Sequence, residues 1–280
     1  MSFLSLILLS AILSTIGTYI DKKIIDKGIS KKDYFYYMCV TMIPFSLISL
    51  FLELKTQTFK FEINLIFIIL LVIAGIIRFI KQKSFVGCYR RLEPYELKTY
   101  MSITLIICFI IDLIIGVQTF NVWKLLSIIL IIFGVILACE VRVSFKKVNK
   151  DLIIRIISDV VMGYVTYMAL KYCSNSIFIL LLNLMLVLFF TPIYKPYKNN
   201  KITKNIFGLI LLQQTFGFTY TYINNYLSSQ SVTLSKFVLP ISLVLIVISA
   251  FILKRDKKPN FKNIIGIIVV ATGILLINSF

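Results

Sequence analysis

Apolar runs of roughly 18–24 residues alternate along this chain with short polar connections. Ten such runs lie near residues 3–20, 35–52, 64–83, 94–116, 122–139, 153–171, 176–194, 206–226, 230–252 and 263–279. A helix rises 1.5 Å per residue, so each run is long enough to cross ~30 Å of hydrocarbon. The runs are continuously apolar rather than alternating with period two, which predicts a helix bundle and not a β-barrel. Two runs are less uniform. The third carries Arg78 and Lys81, and the eighth is rich in amides and tyrosines.

The pattern of the fourth and fifth runs returns in the ninth and tenth. Leu97-Lys98 leads through Ser102 to Asn121 and Gly134; Ser235-Lys236 leads through Pro240 to Asn260 and Gly273. Lys98 and Lys236 are 138 residues apart, and the asparagine and glycine pairs 139. Weaker similarity aligns Ser10, Thr18 and Tyr19 of the first run with Ser158, Thr166 and Tyr167 of the sixth. The expected fold is therefore all-α: ten transmembrane helices in two five-helix repeats, residues 1–150 and 151–280. Five is an odd number, so the second repeat must cross in the opposite direction to the first.

Composition excludes a water-soluble domain. Apolar residues make up 59% of the 280 and charged ones 15%, too little polar surface to cover a globule. The net charge of +18 invites a nucleic-acid partner, but its distribution argues for orientation instead. The connections and flanks after runs one, three, five, seven and nine hold five, two, five, four and five Lys or Arg. Those after runs two, four, six and eight hold two, one, one and none. This bias predicts both termini outside, and equivalent loops of the two halves carry opposite bias, as inversion requires. The first run follows Met1-Ser2 without a basic region, and reads as a retained span rather than a signal peptide. The five cysteines show no metal-ligand spacing, and histidine is absent. No nucleophile motif, paired-carboxylate site or Gly-rich phosphate loop stands out, so neither an enzyme nor a cofactor is expected.

Pro240, the turn Lys257-Lys258-Pro259-Asn260 and the glycines Gly266 and Gly273 resemble the second half of EamA-type members of the drug/metabolite transporter superfamily. The first half departs from that pattern, with Ser102 in place of the proline. The resemblance implies a 5+5 inverted bundle working as a secondary transporter, and a plasma-membrane location. Sugar-phosphate and nucleotide-sugar translocators share this fold and bind phosphate through basic residues on the fourth and ninth spans. Lys98 and Lys236 fall on those spans here.

A lysine in hydrocarbon costs ~2.5–3.5 kcal/mol on insertion scales, so it must face protein, water or a partner. Snorkelling to the headgroups would suffice for either lysine alone. Matching positions in inverted halves instead direct both toward one central cavity. Arg78 and Lys81, three residues apart, share a helix face. They belong either to a charged vestibule or to a basic collar with Arg90 and Arg91. Asp159 lies deep in the sixth run and is the candidate coupling residue; Asp112 is the other deep acid. Tyr167 shares the polar stripe of Ser158 and Thr166. In the eighth run Gln213, Gln214, Tyr220 and Asn224 either line the path of a hydrophilic solute or bind helices together. The expected function is secondary transport of a small anionic metabolite, phosphorylated ones included. Its partners are that small-molecule substrate and the lipid bilayer, with no nucleic acid, in a monomer or homodimer. The rival readings are an exporter of amino acids or other neutral metabolites, a flippase for a polyprenyl phosphate lipid carrier, and a non-transporting membrane scaffold.

Overall fold

The computed structural model describes residues 2–139, 149–194, 202–252 and 260–278. The turn Lys257-Lys258-Pro259 and parts of the basic connections at 140–148 and 195–201 lie outside them. The described residues form helices, with one isolated β-bridge between Phe61 and Cys173. In order the helices are α1 (Phe3–Asp26), α2 (Lys31–Lys55), α3 (Leu65–Tyr89), α4 (Pro94–Met101), α5 (Ile103–Ile114) and α6 (Val122–Cys139). There follow α7 (Lys150–Ala169), α8 (Asn175–Tyr194), α9 (Lys204–Gln230), α10 (Val232–Lys236), α11 (Val238–Ile252) and α12 (Phe261–Asn278).

Each of the ten apolar runs falls on helix. Eight of the helical segments are long and apolar enough to cross a membrane, counting α4–α5 and α10–α11 as one each. The other two fall short for different reasons: α9 is long but too polar, and α12 is apolar over Phe261–Leu276 but short. Large apolar side chains face outward, among them Ile48, Leu65, Leu188 and Phe189, while Lys98, Asp159, Gln214 and Lys236 are buried. Such a surface suits lipid, not water. The chain is an integral, multi-pass membrane protein.

Helix starts are sealed locally where the sequence supplies a cap. Asn64 accepts from Phe67 N–H at 2.7 Å, Asn149 from Leu152 N–H at 2.9 Å, and α4 opens with a Glu93/Glu96 capping box. Two other starts borrow a carboxylate from a distant helix. Glu53 of α2 accepts from the Ser176 N–H at 3.1 Å and from the Tyr222 hydroxyl at 2.9 Å, closing the start of α8. Asp112 of α5 accepts from Thr233 N–H at 3.0 Å, Thr233 Oγ1 at 2.7 Å, Ser231 Oγ at 2.7 Å and Tyr164 OH at 2.8 Å, closing α10. A carboxylate at a helix N-terminus meets both free N–H groups and the positive end of the dipole. Asp112, fully buried, thus has a structural role.

The runs holding the two lysines are each interrupted by one residue. Ser102 Oγ donates to the Lys98 carbonyl at 2.9 Å, a back-bond that bends helices. Pro240 has no N–H to give the Lys236 carbonyl four residues earlier, and α10 ends at Lys236. The closest helix pair is α6 with α12, where backbones meet across glycines: a Cβ on Gly134 would lie 2.8 Å from the Gly266 carbonyl oxygen. The other main contacts are α3 with α7, α1 with α9, and α2 with α8. Together they surround a central cavity.

Candidate functional site

The cavity has a volume of about 250 Å³. Five basic residues line it, Arg78, Lys81, Lys98, Arg155 and Lys236, with two acids, Asp21 and Asp159. Amides and hydroxyls of α9 form another wall: Gln213, Gln214, Tyr220 and Asn224. Both lysines of the repeated pattern reach it, each 5% exposed. Snorkelling is thereby excluded for both. Arg78 and Lys81 both lie within α3, which runs unbroken to Tyr89, and both line the cavity.

The two lysines make corresponding contacts. Lys98 Nζ donates to Ser14 Oγ at 3.0 Å and approaches the Ser14 carbonyl oxygen at 3.4 Å. Lys236 Nζ donates to Asp159 Oδ2 at 2.5 Å and to the Asp159 carbonyl oxygen at 3.1 Å. The tyrosines follow the same rule. Tyr19 OH donates to the Ile246 carbonyl at 3.3 Å and Tyr164 OH to the Cys108 carbonyl at 2.9 Å. Ile246 and Cys108 are 138 residues apart, like Lys236 and Lys98; Tyr19 and Tyr164 are 145 apart, like Ser14 and Asp159.

That correspondence corrects the alignment of the first and sixth runs, in which Tyr19 pairs with Tyr167. The structure does not bring Tyr167 to the cavity. Thr166 lines it, and neighbouring residues on a helix point about 100° apart. Tyr167 instead packs near the buried Cys108, Val160 and Val232, with the Lys171 ammonium 4.6 Å over its ring.

The surroundings of the two lysines differ in charge. Asp159 Oδ1 also holds Lys81 Nζ, at 2.6 Å, so one carboxylate joins α3, α7 and α10. Lys98 has only neutral oxygens: those of Ser14 and Ser242 Oγ at 2.8 Å. Among the described residues no carboxylate lies within 4.0 Å of it.

Two charged lining residues are not marked by the apolar pattern. Asp21 falls just beyond the end of the first run, but α1 extends to Asp26, and the Asp21 carboxylate accepts from Tyr34 OH at 2.5 Å. Arg155 lies at the start of the sixth run and counts there with the basic flank, but α7 starts earlier, at Lys150, and Arg155 donates to the Lys81 carbonyl at 3.0 Å. Spacing holds the signal for both. Asp21 is seven residues after Ser14, and Arg155 four before Asp159, so each shares a helix face with another cavity residue. On the α9 side, the carbonyl oxygens of Gln213, Gln214 and Asn224 are buried with no donor among the described residues, as is Arg155 Nε without an acceptor. Gln214 Nε2 contacts the Met38 sulfur at 3.0 Å and carbonyl at 3.4 Å. Buried polar groups without partners are rare and destabilising, and a cavity that lacks only its solute is one setting where they occur.

No family model matches the chain, and neither does any curated protein. Fold and cavity together define an all-α integral membrane protein with a cationic, amide-walled internal chamber. More particularly, the chamber is positive by three charges over its lining residues, five basic against two acidic.

Proposed function

We propose that this chain is a secondary active transporter of a small anionic metabolite, phosphorylated ones included. In this reading residues 1–150 and 151–280 are inverted five-helix repeats, α9 and α12 also span the membrane, and the halves rock about the central chamber in alternating access. The chain is then an EamA-type member of the drug/metabolite transporter superfamily, in a plasma membrane with both termini outside. One observation carries the reading. Two lysines 138 residues apart reach the same cavity, and each contacts with its Nζ the carbonyl and a side-chain oxygen of one residue, those two residues being 145 apart. Helix contacts support it too: exchanging the halves turns α3 with α7 into α9 with α1, and leaves α2 with α8 and α6 with α12 unchanged.

The cavity cations draw in and neutralise the anionic group, and their low-dielectric setting strengthens each charge-assisted bond. Gln213, Gln214, Tyr220 and Asn224 meet the rest of the solute. Asp159 keeps its place as the coupling residue, since an ion pair spanning three helices must be remade whenever those helices move. Driving force comes from exchange or from protons. The reading is tested by thermal stabilisation of the purified protein with sugar phosphates, nucleotides, amino acids and lipid phosphates. A solute at 100 times its Kd should stabilise by ~2.7 kcal/mol. Shifts confined to soluble phosphates and lost in Lys98→Gln are expected. Shifts confined to neutral amino acids that persist in Lys98→Gln would replace this reading with the neutral-metabolite exporter.

A further inference from the structure

We infer that the chamber holds a single anion subsite, at Lys98, and that the substrate's anionic group does there what the Asp159 carboxylate does at Lys236. The inference rests on the transporter reading above and narrows it. Each lysine, just before the interruption of its span, turns its Nζ onto both the carbonyl and the side-chain oxygen of one residue. At Lys236 that side chain is a carboxylate, which also binds Lys81. At Lys98 it is the hydroxyl of Ser14, and the second hydroxyl, Ser242 Oγ, comes from α11.

A hydroxyl oxygen satisfies hydrogen bonds of an ammonium but not its charge. A buried ammonium without a counter-ion is costly, and an anion that reaches it recovers much of that cost. Ser14 can also rotate its hydroxyl to donate to an oxyanion, whereas the Ser242 hydroxyl donates to the Leu239 carbonyl at 2.8 Å, so Lys98 and Ser14 form the ready set of donors. Lys236 is less open: a protein carboxylate already occupies the position facing its ammonium, although Asp159 divides one negative charge between Lys236 and Lys81. Asp21, two turns along α1 from Ser14, attracts Lys98 through the chamber, but its carboxylate accepts from Tyr34 and makes no ion pair within 4.0 Å among the described residues. Arg78 lines the same chamber and is the competing anion partner. The experiment must separate it from Lys98.

The correspondence itself supplies the experiment. Ser14→Asp gives Lys98 the built-in carboxylate that Lys236 already has. Binding is measured by titration calorimetry on the detergent-purified full chain, with inorganic phosphate, glycerol 3-phosphate and succinate as probes and glycerol as the neutral control. Wild type is expected to take one equivalent of a probe anion. Ser14→Asp should weaken it at least about 100-fold, as a fixed opposite charge within ~4 Å of the ammonium would. Ser14→Asn, neutral and of similar size to Asp, should weaken it far less. Asp159→Ser, which bares Lys236, should raise the stoichiometry toward two.

Two equivalents in wild type would overturn the inference, and that measurement needs no variant to fold. Binding by Ser14→Asp equal to wild type would overturn it as well, moving the anion to Arg78 or Lys236 while leaving anion transport standing. Failure of all three anions to bind wild type, with thermal stabilisation by neutral amino acids alone, would remove the transporter-of-anions reading and this subsite with it.

Discussion

The Lys98 and Lys236 regions share a geometry and differ in how charge is balanced. Around Lys236, an aspartate supplies a counter-ion within the protein and shares it with a second lysine, which leaves that cluster one positive charge in excess. Around Lys98, serine hydroxyls fill the same positions and leave the charge open. The difference teaches that structural correspondence is not functional equivalence. In the proposed reading, the side of the chamber that carries its own counter-ion serves as a strut, and recognition falls to the other. It also explains how five basic residues can line a cavity of about 250 Å³: part of the charge is internally neutralised.

The sharpest way to break the comparison is to remove the strut. Asp159→Ala should destabilise the fold by about 3–5 kcal/mol, because the buried Lys236 and the partly buried Lys81 are left without their carboxylate. Ser14→Ala should cost about 1 kcal/mol, the loss of one hydrogen bond. Denaturation in sodium dodecyl sulfate with a helicity readout measures both. Equal losses would mean that the two regions bear the same load. Next in size, Lys98→Gln should reduce binding of a phosphate probe by about 10–100-fold, the worth of a charged hydrogen bond of ~1.5–3 kcal/mol. Stability should hold or rise, since the variant removes an unpaired buried charge. Lys236→Gln should do the reverse in stability, stranding Asp159 with Lys81 alone, as the same denaturation curves would reveal.

Much of this chamber is legible in the amino-acid sequence. The two lysines stand out because a motif repeated at fixed spacing is unusual in an apolar chain, and the inversion expected of two five-span halves would give the copies a shared destination. Gln213 and Gln214 stand out because an amide in hydrocarbon needs a partner. What stays hidden follows from two physical facts. Hydropathy trims a helix where charge begins, yet helices continue past that point, and so Asp21 reads as connection and Arg155 as basic flank. Three residues are also close to one helical turn, so a register of 148 keeps polar residues on nearly the same face as the 145 to which the contacts point. By pattern alone Tyr167 is as good a partner for Tyr19 as Tyr164 is, and only hydrogen bonds to particular carbonyls tell them apart. The reach of Asp112 and Glu53 to helix starts more than a hundred residues away leaves no local pattern at all.

The tyrosines give the finest test of the comparison. Tyr19 OH meets a carbonyl and the Ser249 hydroxyl, at 2.9 Å, whereas Tyr164 OH meets a carbonyl and the Asp112 carboxylate. Removing the hydroxyl should cost about 1.5–3 kcal/mol in Tyr164→Phe, where a buried carboxylate loses a donor, and about 1 kcal/mol in Tyr19→Phe. Asp112 keeps its contacts to Ser231 and Thr233, which argues for the lower end of the Tyr164 range. Tyr167→Phe, away from both the cavity and these carbonyls, should change stability by no more than about 0.5 kcal/mol. A ranking of Tyr164 above Tyr19 above Tyr167 in the denaturation midpoints would support the 145-residue register. If Tyr167→Phe cost as much as Tyr19→Phe, the 148-residue register would regain its claim, and Ser14 would lose Asp159 as its counterpart. The smallest of these effects therefore reaches back to the largest, because the Lys98 and Lys236 regions are comparable only in the register that pairs Tyr19 with Tyr164.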